Sequence, residues 1–212
     1  MKLSSITPFL NIAFQYVIQT SKKYGIDESH GLKHSIDVLH YSNQIYQSEV
    51  IRHPYLEQQK EIIFASSILH DMCDKKYMDE TNGIVEMRSF LEKNTYLNAN
   101  DLDIISKIIS TMSYSTVKKN GFPELNEYQL AYHIVREADL LAAYDLERCI
   151  IYKIMKQNHP YSDALTLSLE LFKERMLLYL KDNLFITDFS KKKAFELENK
   201  SLKDIEFIGL LF

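Results

Sequence analysis

The sequence of 212 residues has no tryptophan and contains only five glycines and four prolines. So few turn-forming residues predict long helices joined by short connections. No apolar run approaches the ~18 residues that a membrane-spanning helix needs, so we expect no membrane partner. Asn11 and Gln15 interrupt the apolar N-terminal stretch, which predicts an amphipathic helix there and not a signal peptide.

Cysteine is scarce, and neither sign of charge dominates. Cys73 and Cys149 lie far apart and form no CxxC pair, which favours two buried free thiols in a reducing cytoplasm. The formal net charge of -4 provides no overall basic field, so nucleic acid is not an expected partner. Hydrophobic residues make up 46% and charged residues 25% of the chain, a balance typical of a globular protein with a sizeable core.

Apolar residues recur every three or four positions along the chain, which is typical of amphipathic helices. The predicted helices cover residues 7–24 with a stop at Gly25, a segment carrying His34, residues of about 57–72, a segment that starts near Asn100, residues of about 126–154, and a long segment capped by Ser162. No alternating strand pattern of useful length is present. We therefore predict one all-α domain over residues 1–212 and leave the oligomeric state open.

Four polar residues lie where the helical pattern calls for apolar ones: His34, His70, Asp71 and Asp139. Asp139 is the most informative, because aliphatic residues flank it. A buried carboxylate without a partner is costly, so Asp139 needs a cation, a strong hydrogen bond or a raised pKa. Two imidazoles and two carboxylates around one divalent ion would satisfy all four residues and leave positions for water and substrate.

Each of these residues, taken singly, also fits an ordinary structural role. Asp139 could form a structural salt bridge with Arg136 or Arg148. One His-Asp neighbour pair is weak evidence, and a lone histidine on an apolar face is often an ordinary core residue. The metal interpretation depends on the set, since three predicted helices each contribute a polar residue to an apolar face. His70 and Asp71 point ~100° apart, so they can share an ion only near a helix end or in a groove.

The segments around these residues resemble the HD superfamily of metal-dependent phosphohydrolases. The matching segments are 29–38 (SHGLKHSIDV), 68–71 (ILHD) and 136–141 (READLL). The resemblance covers residues of about 27 to 150, and a helical extension of about 160–212 lies outside it. It implies an HD-domain helical bundle in which His34, His70, Asp71 and Asp139 bind the metal ion. The chain has no second histidine cluster, which favours one metal ion over two.

The resemblance also suggests catalytic roles. His30 matches the first of the paired histidines of cyclic-nucleotide phosphodiesterases, which protonates the leaving oxygen; an exposed capping histidine is the alternative. Asp74 matches the acid that follows the His-Asp pair in small nucleotidases and would orient or deprotonate water. A surface carboxylate at a helix end is its alternative. The candidates for contact with a substrate phosphate are Lys33, Lys75, Lys76 and Arg136.

The function expected from these residues is hydrolysis of a phosphate ester of a nucleotide or another small phosphorylated metabolite. The nitrogen and oxygen ligands suit Mn, Fe, Co, Ni, Zn or Mg and do not choose among them. A phosphodiesterase is the first alternative. The second is a non-catalytic HD-fold module that binds a nucleotide or metal and contacts partners through residues 160–212.

Overall fold

The computed structural model describes residues 6–209, and all regular elements in that range are helical. This confirms the predicted all-α class. The α-helices are α1 Thr7–Tyr24, α2 Leu32–Glu49, α3 Lys60–Leu69, α4 Glu80–Asn94, α5 Ala99–Thr111, α6 Tyr114–Asn120, α7 Gln129–Ala142, α8 Leu146–Met155, α9 Tyr161–Glu174 and α10 Asp188–Gly209. Short 3-10 helices cover Pro54–Gln59, His70–Cys73, Asn126–Tyr128 and Met176–Leu178. No helix within residues 6–209 is both long and apolar enough to cross a membrane.

Glycines mark the end of α1 and the start of α2. Gly25 ends α1 in the left-handed conformation (φ 64°), and its N–H bonds the carbonyl of Ser21. This confirms the predicted stop. Gly31 precedes α2, and a β-carbon there would lie 3.0 Å from the carbonyl oxygen of Asp27. The close turn brings His30 just before α2 and puts His34 in its first turn.

The predicted helix over about 57–72 consists of three pieces. A 3-10 helix, Pro54–Gln59, leads into α3, and the chain tightens again into the 3-10 helix His70–Cys73. Eight consecutive residues of α3 are buried, from Ile62 to Leu69. This helix is therefore the centre of the bundle, and the His-Asp pair lies directly at its C-terminal end.

Other predicted helix ends were only partly right. α5 begins at Ala99, within one residue of the predicted start, and its capping residue is Asn98, which forms a capping box with Asp101, and not Asn100. The predicted helix 126–154 is divided, because Asp145 caps a new helix by accepting a bond from the N–H of Arg148. The predicted cap at Ser162 was wrong, because α9 begins at Tyr161 after Pro160 and has no side-chain cap; the helix ends at Glu174. The sequence pattern did not predict α4 and α6, each of which buries few residues.

The helices form a bundle around α3, which packs against α1, α2, α5 and α7. The closest partner of α2 is α7, whose residues are nearly all buried. α8 and α9 pack mainly against each other, and α10 lies against α7 and α2. The parts of the chain that carry the four predicted ligands are therefore central neighbours.

Two adjacent charged residues of α7 fasten the C-terminal part of the chain. The carboxylate of Glu137 is fully buried and accepts bonds from the N–H of Ile186 (2.6 Å) and from the N–H and hydroxyl of Thr187 (3.2 and 2.7 Å). Arg136 is also buried and donates to the carbonyl of Leu184. Its guanidinium stacks on the ring of Phe122 at 4.7 Å. These contacts hold the start of α10 against the bundle.

Candidate metal centre

The structure brings together the four polar residues that interrupt apolar helix faces. His34 comes from α2, His70 and Asp71 from the 3-10 helix after α3, and Asp139 from α7. The Nε2 atom of His34 lies 3.1 Å from His70 Nε2, 3.4 Å from Asp71 Oδ2 and 3.3 Å from Asp139 Oδ1. His70 Nε2 lies 3.3 Å from Asp71 Oδ2 and 3.6 Å from Asp139 Oδ1.

This spacing fits a shared metal ion. Nitrogen and oxygen ligands that are each ~2.0–2.2 Å from one ion lie ~3–3.6 Å from one another at neighbouring coordination positions. The buried cluster of His34, His70 and Asp71 could therefore hold a metal ion. Asp139 Oδ1 lies at the same spacing from both imidazoles, on the opposite helix. Adjacent residues of an α-helix point ~100° apart. His70 and Asp71 can still reach one point, because they lie just past the end of α3, in a 3-10 helix.

The two histidines are oriented differently. His70 Nδ1 lies 2.9 Å from the carbonyl oxygen of Ser67. A carbonyl only accepts, so Nδ1 carries the proton and Nε2 is directed to the cluster, the arrangement usual for a metal-binding histidine. His34 Nδ1 is buried and has no hydrogen-bond partner among the described residues. Packing and the polar contacts of Nε2 therefore orient the ring of His34.

The charges of the cluster explain its pKa values. Burial, with the charge of Arg148, lowers the pKa of His34 to about 4. Burial also disfavours charged His70, but Asp71 and Asp139 outweigh it and raise the pKa of His70 to about 10. Burial alone would raise the pKa of each carboxyl, whereas the imidazoles hold both pKa values well below the usual range. Without metal, the centre at neutral pH holds two carboxylates and one protonated imidazole.

Arg148 supplies a further positive charge beside the centre. Its Nη2 lies 3.5 Å from Asp71 Oδ2, and its Nη1 lies 3.9 Å from Asp139 Oδ1. Its Nε donates to the carbonyl of Ser29. The salt bridge to Asp139 considered from sequence is thus present as a long contact with Arg148. One guanidinium shared at these distances neutralises only part of the charge of two buried carboxylates.

A cleft opens directly onto the cluster. It consists of two adjoining cavities of about 210 Å³ each, which share Asp71, Asp74, Lys76, Ser113, Tyr114, Asp139 and Arg175 as lining residues. The first cavity adds Arg148, Tyr152 and Lys153. A larger cavity of about 580 Å³ lies elsewhere, between α2, the start of α8 and α10. Three of the predicted metal ligands, His70, Asp71 and Asp139, therefore line the smaller, more basic cleft and not the larger cavity.

His30 and Asp74 meet next to the centre. His30 is buried, so the alternative of an exposed capping histidine is wrong. Its Nε2 lies 2.9 Å from Lys76 Nζ, and its Nδ1 lies 2.7 Å from the hydroxyl of Ser29. Burial lowers the pKa of His30 to about 3 despite the nearby charge of Asp71. Asp74 faces both cavities and lies 3.0 Å from Lys76 Nζ.

The four predicted phosphate contacts separate into two groups. Lys75 and Lys76 are exposed and line the cleft. Lys33 instead borders the larger cavity and forms an ion pair with Asp37. Arg136 is buried and bound to Leu184, so its contacts are structural. The structure therefore gives no support to Lys33 or Arg136 as substrate contacts.

The cleft contains residues that the sequence pattern did not identify. The pattern marked Arg148 as a salt-bridge partner for Asp139 and only in passing as a possible phosphate contact, and it gave no role to Arg175, Tyr114 or Tyr152. Arg175 stacks on the ring of Tyr114 at 4.4 Å and donates to the hydroxyl of Tyr179. No motif marks these positions, because they come from separate elements: Arg148 and Tyr152 from α8, Arg175 from the end of α9, and Tyr114 from the start of α6. Both cysteines are free as predicted, but only Cys73 is also buried as predicted; Cys149 is half-buried at the cleft.

Comparison with models of protein families, with curated proteins and with solved structures found no match to this chain. The geometry of the cluster and its cleft is therefore the basis of the functional interpretation.

Proposed function

We propose that this protein is a metal-dependent phosphohydrolase of the HD type that binds one divalent ion through His34, His70, Asp71 and Asp139. The observation that carries the proposal is that the Nε2 atoms of His34 and His70 lie 3.1 Å apart and each lies 3.3 to 3.6 Å from an oxygen of both Asp71 and Asp139, at the wall of a basic cleft. Without metal, Arg148 and a proton on His70 offset the charge of the two carboxylates, and a divalent cation would replace that proton with a larger charge at the same point. The metal identity stays open among Mn, Fe, Co, Ni, Zn and Mg.

The cleft residues supply the other needs of phosphoryl transfer, which are positioning and charge stabilisation. A bound divalent ion would act as a Lewis acid and promote the ionisation of water. Arg148 presents a planar set of donors to the phosphoryl oxygens, next to Asp71 and Asp139. Lys76 adds an ammonium that faces the same cleft. Both groups would offset the negative charge of the reacting phosphate.

Asp74 remains our candidate for orienting or deprotonating the attacking water. Its carboxylate faces both cavities and is held by Lys76 at 3.0 Å. His30 is a weaker candidate for a general acid than the resemblance suggests. An ammonium can only donate, so His30 Nε2 accepts from Lys76 and carries no proton there to give to a leaving oxygen.

The walls of the cleft favour a small substrate with a planar group. Tyr114 and Tyr152 present aromatic rings, and the guanidinium of Arg175 lies over Tyr114. Such surfaces stack on the base of a nucleotide. Cavities of about 210 Å³ fit a small metabolite better than a nucleic acid. We therefore propose a nucleotide or similar phosphate ester as substrate, and a reducing cytoplasm as the location of the two free thiols.

A metal-by-substrate screen tests this proposal. Chelator-treated protein is loaded separately with each candidate metal and assayed with nucleoside monophosphates, p-nitrophenyl phosphate and bis(p-nitrophenyl) phosphate. We expect metal-dependent release of phosphate from monoesters, abolished in Asp139→Asn and retained in Asp163→Asn, which alters an exposed carboxylate. Preferential cleavage of the diester would favour the phosphodiesterase alternative. Metal binding without turnover of any ester would favour the non-catalytic module.

A further inference from the structure

A second group of metal-ligand type adjoins the proposed metal centre. Ligand atoms of His30, Asp71 and Asp74 all lie within 4.8 Å of one another. Asp71 belongs to both groups, so the two groups meet at one carboxylate. His30 and Asp71 are buried, and Asp74 is half-buried at the cleft. This arrangement has the composition of a second cation site beside the first.

A cation of the protein itself already lies in this second group. The ammonium of Lys76 is 2.9 Å from His30 Nε2 and 3.0 Å from Asp74 Oδ2. It also lies over the ring of Tyr152, 5.6 Å from its centre. The backbone contributes as well, because the N–H of Lys76 donates to Asp74 Oδ1 at 2.8 Å. Lys76 is therefore held from three sides.

The surroundings of His30 fix which of its nitrogens faces Lys76 as an acceptor. Since Nε2 accepts from the ammonium, the ring proton is on Nδ1. Nδ1 lies 2.7 Å from Ser29 Oγ and 3.2 Å from Tyr77 Oη. Both hydroxyls donate in turn to the carboxylate of Asp27. The network to Asp27 thus holds the protonated Nδ1, and the lone pair of Nε2 points toward Lys76. Metal-binding histidines are held in the same way, with the lone pair of the other nitrogen directed to the metal.

We propose that the ammonium of Lys76 takes the place of a second metal ion in this protein. It occupies the lone pairs of His30 and Asp74 that a second ion would use, and its charge repels a divalent ion there. The protein then binds a single ion at His34, His70, Asp71 and Asp139 and keeps a built-in monovalent cation one carboxylate away. The side chain of Lys76 is 42% exposed, so the ammonium remains open to a substrate phosphate in the cleft. This inference rests on the metal centre of the proposed function.

The test counts metal ions in the whole chain. Chelator-treated wild-type protein and variants are titrated with Mn²⁺ by calorimetry, and bound manganese is measured after desalting. We expect one equivalent in wild type and in Lys76→Arg, which keeps the positive charge. We expect two equivalents in Lys76→Met and Lys76→Gln, with the electron paramagnetic resonance signal of a spin-coupled manganese pair. Lys75→Met is the matched control, because Lys75 is exposed and outside the group; it should bind one.

A double variant locates the second ion. Lys76→Met combined with Asp74→Asn should return to one equivalent, whereas Asp139→Asn should weaken the first ion in either background. Two equivalents in wild type, or one in both Lys76→Met and Lys76→Gln, would overturn the proposal. Binding of no ion by any variant would remove the metal centre itself, and with it the proposed function. Circular dichroism of each variant separates loss of binding from loss of folding.

Discussion

At the scale of single residues, the proposed metal centre is a problem of charge compensation. Asp71 and Asp139 keep their negative charge within the bundle because two imidazoles and Arg148 surround them. In the absence of metal, His70 holds a proton that partly balances the two carboxylates. A divalent ion would replace this proton with a larger charge at the same point. Proton release should therefore accompany metal binding.

The pH dependence follows from His70. Its pKa of about 10 means that it is protonated at pH 7 without metal, whereas His34, with a pKa of about 4, is already neutral. Metal binding should release about one proton per ion, and affinity should rise up to ~10-fold per pH unit from pH 7 toward pH 10. Calorimetry in buffers with different ionisation enthalpies measures the proton count. A count of zero across this range would contradict the charge assignment.

The raised pKa of His70 also makes the stability of the metal-free protein depend on pH. A histidine whose pKa is raised on folding stabilises the folded state fully below its unfolded value of ~6.5. That contribution from His70 is lost as the pH rises to about 10. The Tm of chelator-treated wild type should fall over this window more steeply than that of His70→Gln. Equal slopes in thermal unfolding would show that His70 is not protonated in the folded protein.

Arg148 should contribute to substrate binding more than to metal binding. Replacing it with lysine keeps the charge but removes the planar pair of donors near Asp71. Loss of one charged hydrogen bond, ~1.5–3 kcal/mol, predicts a KM about 10- to 100-fold higher for the proposed monoester substrate. Manganese stoichiometry should stay at one. Arg52→Lys, at an exposed ion pair with Asp188, provides the control and should leave KM unchanged.

At the scale of elements, ends and breaks of helices position the functional groups. The tightening after Leu69 sends both His70 and Asp71 toward one point. The break between α7 and α8 turns Arg148 back toward the cleft, one turn after its capping residue Asp145. Helical patterning predicted the interiors of these elements but missed the break, because Ala142, Ala143 and Leu146 continue an apolar face that a longer helix would also present.

The cap at Asp145 can be tested separately from the chemistry. Its carboxylate accepts from the N–H of Arg148 at 3.3 Å. Asp145→Ala should lower the free energy of unfolding by ~1 kcal/mol, since an uncapped N–H remains at the start of α8. Asp145→Asn keeps an acceptor and should remain close to wild type. Urea unfolding of both variants makes the comparison, and an equal loss in both would indicate a role for the charge and not for the cap.

At the scale of the whole molecule, the C-terminal part of the chain is joined to the bundle by a buried polar connection. Glu137 receives three hydrogen bonds from Ile186 and Thr187, and its neighbour Arg136 binds Leu184. Both residues are on α7, which also carries Asp139. The helix that provides a proposed ligand thus also anchors the start of α10.

Removing this connection should be costly. Glu137→Ala leaves three donors unpaired and Arg136 without its buried carboxylate neighbour, which predicts a loss of ~3–5 kcal/mol in the free energy of unfolding. Glu137→Gln retains an acceptor and should cost less. Glu147→Ala, at an exposed position of α8, should change stability by less than ~0.5 kcal/mol. Guanidinium unfolding measures all three, and a mild effect of Glu137→Ala would show that this connection contributes little.

The sequence by itself determined the all-helical class, both ends of α1 and the set of polar residues that interrupt apolar faces. These features depend on local chemistry: the spacing of apolar residues, a glycine stop, and a charge where none is expected. Only the tertiary structure decided that Arg148 and Arg175 enter the cleft, that Arg136 is a buried structural residue, and that Lys76 lies between His30 and Asp74. Those outcomes depend on contacts between segments far apart in the chain, for which local sequence carries no signal.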